Sequence, residues 1–240
     1  MKKIIRKIID QAGISVFRHS RLPVGTDYRK TIRNKFDENQ IKVVFDVGAN
    51  IGQFCVHCQE IFGESDIYSF EPISSTFDVL KDRTKGFGNI SCFKLAFGNE
   101  KGTGEVFLQA DSSVNSINPL VNIRKNDEQE SEQIEIDTID LFCEHENIKR
   151  IDLLKIDTEG FDLNVLEGAR KMLRSRQIQF IFIEVTFDGD NIQNSSYNSI
   201  SSFLGEFGFK IHGLYNQSIH ENSTLMNYCD ALFYLQPEEK

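Results

Sequence analysis

Apolar residues fall in short runs that recur along the chain from residue 41 onward, and several of the stretches between them have helical spacing. Short apolar runs bounded by Gly, Asn or Asp are typical of β-strands, whereas apolar residues three and four positions apart are typical of amphipathic helices. The pattern predicts strands at 41–47, 66–70, 89–95, 151–156, 178–185, 209–214 and 231–235. It predicts helices at 53–62, from Ser74 or Ser75 through Leu80, at 163–173 and at 197–207.

Strands that alternate with helices at this interval pair in parallel through crossover helices. We therefore predict an α/β fold with a doubly wound, mostly parallel sheet whose last two strands are compatible with antiparallel pairing. Between the third and fourth strands, residues 97–136 break the rhythm with several Gly and Asn residues. We predict an insertion there, with a hairpin strand at 105–108 and a polar loop at 122–133. Its segment 111–116 is either a loop that closes over a site or an ordinary surface loop.

Residues 1–40 differ from the rest of the chain in charge. Ten Lys or Arg residues stand against two acids in residues 1–35, so this stretch carries +8 and the remainder carries −17. Ile4, Ile5, Ile8 and Ile9 have helical spacing among these cations. We predict a basic N-terminal helical arm at 1–40, followed by one domain at 41–240. The arm is interpreted as a solvated helix against the acidic body, with peripheral contact to an anionic surface as the alternative.

The composition, with 40% hydrophobic and 26% charged residues among 240, is that of a soluble globular protein. The acidic body argues against nucleic-acid binding, which depends on neutralising phosphates. Five cysteines are too few for a secreted disulfide framework. The chain has no apolar run long enough to span a bilayer, and the basic N-terminus lacks the apolar segment of a signal peptide. We therefore expect a cytoplasmic protein.

The first predicted strand ends in Asp46-Val47-Gly48-Ala49-Asn50-Ile51-Gly52. Gly48 permits a sharp turn out of the strand, and Gly52 permits close packing at the start of the next helix. The spacing is G-x-x-x-G rather than the dinucleotide motif G-x-G-x-x-G, so this turn is not primarily a phosphate cradle.

Glu71 and Pro72 follow the second predicted strand, and Glu71 lies 23 residues after Gly48. An acidic residue at about this distance contacts ribose hydroxyls in nucleotide-binding α/β folds, because a carboxylate accepts two hydroxyl hydrogen bonds at once. The same charge would repel a 2′-phosphate. The two motifs together predict a nucleoside-binding site.

Acidic residues also follow the two later buried strands. Asp157 and Glu159 follow strand 151–156, whereas Glu184 and Asp188 lie at the end of strand 178–185. Ligands of open α/β sheets bind along this carboxyl edge, so these side chains are candidate ligand contacts. The structural alternative is that Asp157 or Thr158 only caps the next helix.

At these motifs the chain resembles the FkbM-type family of S-adenosylmethionine-dependent methyltransferases, which have a Rossmann-like class I fold. The resemblance depends on residues 45–52, on Phe70-Glu71-Pro72, and on Leu154-Lys155-Ile156-Asp157-Thr158-Glu159-Gly160 with the following Val165-Leu166-Glu167-Gly168-Ala169. It covers residues ~41 to ~236 with motif order and spacing intact. It implies methyl transfer from S-adenosylmethionine to a hydroxyl, most plausibly of a saccharide or glycan precursor.

The resemblance also implies roles for individual residues. The methionine part of the cofactor would contact Asp46 and the turn at Gly48 and Gly52, the ribose would contact Glu71, and the adenine would lie near residues 94–97. The full cofactor-binding set predicted is Asp46, Gly48, Asn50, Gly52, Glu71, Pro72 and Ala96.

An aliphatic hydroxyl is a poor nucleophile until a base accepts its proton. The candidate catalytic residues are Asp157 and Glu159, with Glu184 and His212 as further candidates. A metal site is the alternative, because Asp157, Glu159, Glu184 and Asp188 offer the oxygen ligands that Mg²⁺ or Ca²⁺ prefers. These four residues are equally suited to binding sugar hydroxyls.

Two functions of other classes remain open from the residues alone. One is an NAD-dependent oxidoreductase, against which the missing G-x-G-x-x-G counts. The other is a nucleoside-binding interaction module without catalysis, in which the acidic residues serve structure only.

Overall fold

The computed structural model describes residues 11, 24–35, 41–108, 115–118, 129–219 and 226–237, and the strands among them form two sheets. In chain order the strands are β1 Val43–Val47, β2 Asp66–Phe70, β3 Ile90–Phe93, β4 Ala96–Phe97, β5 Gly102–Phe107, β6 Ser131–Asp137, β7 Ile151–Ile156, β8 Ile178–Thr186, β9 Phe209–Ile219 and β10 Met226–Leu235. The helices are α1 Tyr28–Lys35, α2 Gln53–Ile61, α3 Ser74–Thr84, α4 Ile139–His145, α5 Asp162–Glu167, α6 Arg170–Arg174 and α7 Tyr197–Gly205.

The larger sheet has seven strands in the order β3-β2-β1-β7-β8-β10-β9. Its first five strands pair in parallel, whereas β10 is antiparallel to both β8 and β9. The order changes direction at β1, so the carboxyl ends of β1 and β7 open a crevice at this switch point. The predicted doubly wound, mostly parallel fold with two antiparallel strands at its end is confirmed.

All six residues of β7 are buried, as expected for a central strand with helices on both faces. A cluster of phenylalanines covers one face of the sheet, and Phe142 of α4 packs edge-on against Phe45 and Phe70. These contacts make the strands rigid beneath the loops at their carboxyl ends.

The smaller sheet, in the order β4-β6-β5, is the predicted insertion. Strands β5 and β6 pair antiparallel, so the predicted hairpin is confirmed. The polar loop predicted at 122–133 is too long, because residues 131–133 belong to β6, and residues 122–128 lie outside the described part. The third strand predicted at 89–95 ends earlier, at Phe93, and Ala96 pairs instead with Ile136.

Two predictions about helices are wrong. The helix predicted at 163–173 is divided into α5 and α6, because Gly168 passes so close to Gly98 that an added Cβ would lie 2.1 Å from the Gly98 oxygen. Neither Ser74 nor Ser75 caps α3 with its side chain, since Ile73 is the N-cap residue. The backbone N–H of Ser74 instead donates to the Glu132 carboxylate of β6, at 3.0 Å.

Helix α4 is an element that the sequence analysis did not predict. Its buried residues Ile139, Phe142 and Cys143 have helical spacing, and the Thr138 hydroxyl accepts a hydrogen bond from the Leu141 N–H at 3.1 Å. The sequence does carry a signal for this helix, namely a capping threonine followed by a short amphipathic segment.

Helix α1 packs directly on the sheet. Ile32 is fully buried, and the Tyr28 ring stacks on Phe182 of β8 with 4.0 Å between centroids. This part of the predicted arm therefore belongs to the packed body, whereas the helix predicted around Ile4–Ile9 lies outside the described residues. Within the described part of the chain, no helix is long and apolar enough to cross a membrane.

Candidate active site

The turn after β1 has a backbone that only small residues tolerate. Gly48, Asn50 and Gly52 all have positive φ, at 71°, 48° and 82°. A Cβ at Gly48 would lie 1.8 Å from the carbonyl oxygen of Asp157, so this turn packs directly against the loop after β7. Glycine is required at position 48 both for its φ and for this close approach.

Glu71 lies at the bottom of the adjacent crevice and is only 6% exposed. Its carboxylate accepts hydrogen bonds from the backbone N–H of Asn50 at 3.0 Å and of Ile73 at 2.9 Å. Burial raises the pKa of Glu71 to about 7, although these two hydrogen bonds act in the opposite direction. A carboxylate has about four acceptor positions, so Glu71 keeps the capacity to accept two ligand hydroxyls.

Lys155 connects the turn after β1 with the loop after β7. The β1–β7 register places it beside Asp46, and its Nζ lies 3.4 Å from Asp46 Oδ1 and 3.3 Å from Asp157 Oδ2. It also donates to the Gly48 carbonyl oxygen at 2.7 Å. Burial alone would lower the pKa of Lys155, but Asp157 and Asp46 outweigh it and the pKa is raised. The ammonium group therefore stays charged.

Asp46 is fully buried, and burial raises its pKa although Lys155 opposes the shift. In the described part of the chain, neither of its carboxylate oxygens has a partner at hydrogen-bond geometry. Its nearby cation is the Lys155 ammonium group, so the charge of Asp46 serves to hold β1 and β7 together beside the site.

Three of the predicted acidic residues meet in space. Asp157, Glu159 and Glu184 each contribute an oxygen atom, and these atoms all lie within 4.8 Å of one another. Burial first, and then the neighbouring charge of Asp157, raise the pKa of Glu184 to about 9. The Glu184 carboxylate accepts a hydrogen bond from the Asn194 side chain. We call these three residues the acidic cluster.

Two other predicted residues do not join the acidic cluster. Asp188 lies outside it, and its side chain accepts a hydrogen bond from the Asp190 backbone at 3.0 Å. The prediction of Asp188 as a fourth ligand is therefore wrong for this arrangement of the loop. His212 lies in the first half of β9 and lines neither of the cavities described below.

The loop after β7 is held by Asp162 rather than by a helix cap. Asp162 is 1% exposed and accepts hydrogen bonds from the Thr158 N–H and hydroxyl, both at 2.9 Å, and from Ser195 at 2.8 Å. The N-cap residue of α5 is Phe161. Asp157 therefore does not cap α5, which was the structural alternative to a role in ligand binding.

Two cavities open along this edge of the sheet and share Gly48, Asn50 and Asp157. The first has about 720 Å³ of empty space, counting the part open to solvent. Of the predicted residues, it is also lined by Glu71, Pro72, Ala96 and Glu159. The second is larger, at about 1500 Å³, and lies between α1, α2 and the middle of strands β8, β9 and β10. Gly52 lies behind the turn, where an added Cβ would be 2.7 Å from Leu80.

The insertion covers one side of the first cavity. Ser116 is 4% exposed and donates to the Glu159 carbonyl oxygen at 2.6 Å, and the Asn118 side chain donates to the Gly160 carbonyl oxygen at 3.0 Å. These bonds attach segment 115–118 to the loop that carries Glu159. Residues 111–114 of the predicted closing loop lie outside the described residues.

Sequence reasoning missed three residues that line the second cavity, namely Tyr28, Lys155 and Asp230. Asp230 of β10 lies opposite Glu184 in the antiparallel register, and burial raises its pKa to about 6. The sequence signal for Asp230 is its place directly before the apolar run of the last strand. Lys155 is one of two charged residues, with Asp152, in the otherwise apolar strand β7.

Comparison with known proteins gives a family match over much of the chain. A family model described as the methyltransferase FkbM domain matches residues 46–211. Methyltransferase 1 of Beauveria bassiana (strain ARSEF 2860) is 27% identical over 147 residues, which cover 52% of this chain and 57% of that protein. The hexuronic acid methyltransferase AglP of Haloferax volcanii is 27% identical over 148 residues, which cover 60% of this chain and 55% of that protein. The chain thus matches little more than half the length of these relatives.

Solved structures similar to this chain include the methyltransferase domain of bacterial CtHen1-C, with a TM-score of 0.49, 12% identity, and coverage of 88% of this chain and 95% of that one. A precorrin-6y C5,15-methyltransferase from Geobacter metallireducens GS-15 has a TM-score of 0.45 and 10% identity, with 86% of each chain covered.

Proposed function

The chain belongs to the FkbM methyltransferase family, and we propose that it is an S-adenosylmethionine-dependent O-methyltransferase that acts on a saccharide hydroxyl. The observation that carries this proposal is the acidic cluster, whose Asp157 lines both cavities and whose Glu159 lines the first. It puts proton acceptors beside a crevice that is suited to a nucleoside. Family membership favours methyl transfer over the oxidoreductase and the non-catalytic binding module.

The first cavity has the groups that the nucleoside part of the cofactor needs. Glu71 offers two acceptor positions for ribose hydroxyls, and apolar atoms of Ile73, Leu95 and Phe97 line the side on which a flat base would pack. Gly48 leaves the backbone of the turn accessible to the cofactor, and Asp46, which lines neither cavity, holds Lys155 beside this turn. When bound, S-adenosylmethionine supplies an activated methyl group.

The residues of the chain then have to orient the acceptor and remove its proton. The acceptor oxygen gains the methyl group and loses its proton, which a carboxylate of the acidic cluster accepts. Asp157 lines both cavities, and its carboxylate lies 3.3 Å from Lys155 Nζ, so it is the member of the acidic cluster placed to accept the proton. Glu184, with a pKa raised to about 9, is suited to donate a hydrogen bond in its neutral form.

The saccharide class is supported by two independent considerations. Carboxylate and amide groups along this edge are typical ligands of sugar hydroxyls, because each accepts or donates several hydrogen bonds. In addition, one of the relatives is named a hexuronic acid methyltransferase. Because that relative is 27% identical, the sugar and the methylated position of this chain are not transferred from it.

A divalent cation at the acidic cluster is the second candidate mechanism. The oxygen atoms of Asp157, Glu159 and Glu184, all within 4.8 Å of one another, form the kind of oxygen-rich group that Mg²⁺ binds. Such an ion would hold the acceptor hydroxyl and acidify it.

A labelled methyl-transfer screen tests the proposal. The protein is incubated with S-adenosylmethionine carrying a tritiated methyl group and with a panel of sugars and nucleotide sugars, with and without EDTA. We expect label in a product that resists alkali, because a methyl ether is stable where a methyl ester is hydrolysed. Alkali-labile label, or no label from a protein that binds S-adenosylhomocysteine, contradicts methylation of a saccharide hydroxyl. Loss of transfer in EDTA that excess Mg²⁺ restores favours the metal mechanism.

A further inference from the structure

The second cavity is lined partly by residues outside the part of the chain that the family model matches. Residues 26–29 precede residue 46, and Asn216 and Asp230 follow residue 211. The first cavity, in contrast, lies entirely within residues 47–159. The second cavity therefore combines a wall from the matched part of the chain with residues that precede and follow that part.

The second cavity has a near wall and a far wall. The near wall is the turn 48–53, which continues directly from the first cavity and is the place for the amino-acid end of the cofactor. The far wall consists of Tyr28, Phe182, Asn216 and Asp230. Counted with the part open to solvent, this cavity has about twice the empty volume of the first. The space in front of the far wall is therefore large enough for a second molecule beside the cofactor.

Asp230 and Asn216 form the polar part of the far wall. The Asn216 side-chain amide donates to Asp230 Oδ2 at 2.6 Å, which fixes the carboxylate and leaves its other oxygen for a hydroxyl. The β8–β10 register pairs Asp230 with Glu184 of the acidic cluster. A hydroxyl-bearing ring held by Asp230 therefore lies next to the proton acceptors.

Aromatic rings form the apolar part of this chamber. Tyr28 stacks on Phe182 with 4.0 Å between centroids, and Phe54 lies nearly parallel to Tyr28 at 5.8 Å. Because these rings pack on one another and Tyr28 is only 8% exposed, they give the cavity a small apolar lining rather than an open ring face, and the polar groups beside it are left to bind hydroxyls.

The charges of the chamber argue against an anionic acceptor. Arg29 is paired with Asp27 at 3.1 Å, and Lys155 is paired with Asp46 and Asp157. Among the described residues that line this cavity, no Lys or Arg remains without an acidic partner. A carboxylate or phosphate on the acceptor would face Asp157 and Asp230 without a cation to offset the repulsion.

We infer that the far wall of the second cavity is the acceptor site, and that Tyr28 and Asp230 select an uncharged, hydroxylated sugar ring over one that carries a carboxylate. This inference rests on the proposed function, and it adds the acceptor's location and charge. It assigns the choice of acceptor to residues on α1 and β10.

Saturation-transfer NMR on the full chain, saturated with S-adenosylhomocysteine, tests this assignment. The probes are the methyl glycosides of glucose, mannose and galactose, and methyl glucuronide as the charged counterpart. We expect a neutral glycoside to bind at least about tenfold more tightly than the glucuronide. Asp230→Asn is expected to weaken its binding at least about tenfold, the scale of a lost hydrogen bond to a charged group, and Tyr28→Ala is expected to weaken it because it removes the apolar lining. Asp66→Asn, at an exposed position on β2, serves as the matched control.

The control measurement is calorimetric binding of S-adenosylhomocysteine to each variant, which must stay unchanged. If wild-type protein does not bind S-adenosylhomocysteine, the proposed function fails. If it does bind, three results overturn the acceptor site alone: no neutral glycoside binds, the glucuronide binds as tightly, or both substitutions leave glycoside affinity unchanged. If Tyr28→Ala does not fold, the Asp230→Asn variant and the comparison with the glucuronide decide whether the far wall is the acceptor site.

Discussion

At the scale of single residues, the burial of Glu71 couples nucleoside binding to pH. Ribose hydroxyls donate to the charged carboxylate, so binding should lower a pKa that stands at about 7 in the free protein. We expect affinity for S-adenosylhomocysteine to be full above about pH 7 and to fall by up to about tenfold per unit below it. Calorimetry between pH 5.5 and 8.5 measures this dependence, and Glu71→Gln should remove it.

Loss of the Glu71 side chain should also weaken binding directly. Glu71→Ala is expected to cost about 1.5–3 kcal/mol of cofactor binding, the scale of hydrogen bonds to a charged group. Glu135→Gln, at an exposed position on β6, is the matched control. Unchanged affinity in a folded Glu71→Ala protein would move the ribose site elsewhere.

The acidic cluster should govern turnover rather than cofactor affinity. Asp157→Asn and Glu159→Gln keep the side-chain shape and remove the charge. At least one is expected to lower kcat by about 10²-fold or more, the weight of a general base, with less than about tenfold change in S-adenosylhomocysteine affinity. Asp82→Asn, on the exposed face of α3, should leave both quantities unchanged. If both variants turn over at wild-type rates, Glu184 becomes the next residue to test.

The local motifs were sufficient to find the residues that line the first cavity. Gly48, Glu71 and Asp157 each directly follow a strand, and parallel strands bring their carboxyl ends to one edge. Tyr28 and Asp230 had no such signal, because they reach the site only through the packing of α1 and the antiparallel pairing of β10.

At the scale of elements, the contact between the turn after β1 and the loop after β7 depends on Gly48. Gly48→Ala combines a positive φ of 71° with a Cβ 1.8 Å from the Asp157 oxygen, so the two loops must separate. We expect loss of measurable S-adenosylhomocysteine binding and a lower melting temperature. Gly86→Ala is the matched control, since nothing lies within 4 Å of its added Cβ. Wild-type binding by Gly48→Ala would show that the turn can move without disturbing the site.

The pairing of β1 with β7 also depends on the charge balance of Asp46 and Lys155. Lys155→Met should lower the free energy of unfolding by about 3–5 kcal/mol, because it leaves the buried Asp46 without its cation. Urea unfolding measures this, and the double variant Asp46→Asn/Lys155→Met should recover a large part of the loss. Lys85→Met, which breaks an exposed pair with Asp82, is the control and should have no measurable effect. Equal losses in the single and double variants would show that the side-chain volume, not the charge, matters.

The central strands of the large sheet were predictable from the sequence, whereas the break between two helices and the full length of the last strands were not. Strand 151–156 has apolar residues on both faces and was predicted to the residue. Strands β9 and β10 extend beyond their predicted bounds, because polar residues such as Asn216 and Asp230 face the site and interrupt the apolar pattern. The division between α5 and α6 results from a tertiary contact with Gly98, which no local pattern carries.

At the scale of the whole molecule, the basic N-terminus and the packed body should be separable. Every predicted cofactor residue follows residue 40, and the nearest described helix, α1, begins at Tyr28. We expect deletion of residues 1–20 to leave S-adenosylhomocysteine affinity unchanged by calorimetry, while binding to vesicles of anionic lipid decreases. A shortened protein that stays folded but loses cofactor binding would show that the arm is part of the site.

The crystal structure of the complex with S-adenosylhomocysteine tests the central claim most directly, because the claim concerns where the methyl group is delivered. The account predicts both ribose hydroxyls within hydrogen-bond distance, about 3 Å, of the Glu71 carboxylate. It also predicts the sulfur atom at the junction of the two cavities, facing Asp157 and the acidic cluster. A ribose bound away from Glu71, or a sulfur atom directed away from Asp157, would contradict the account.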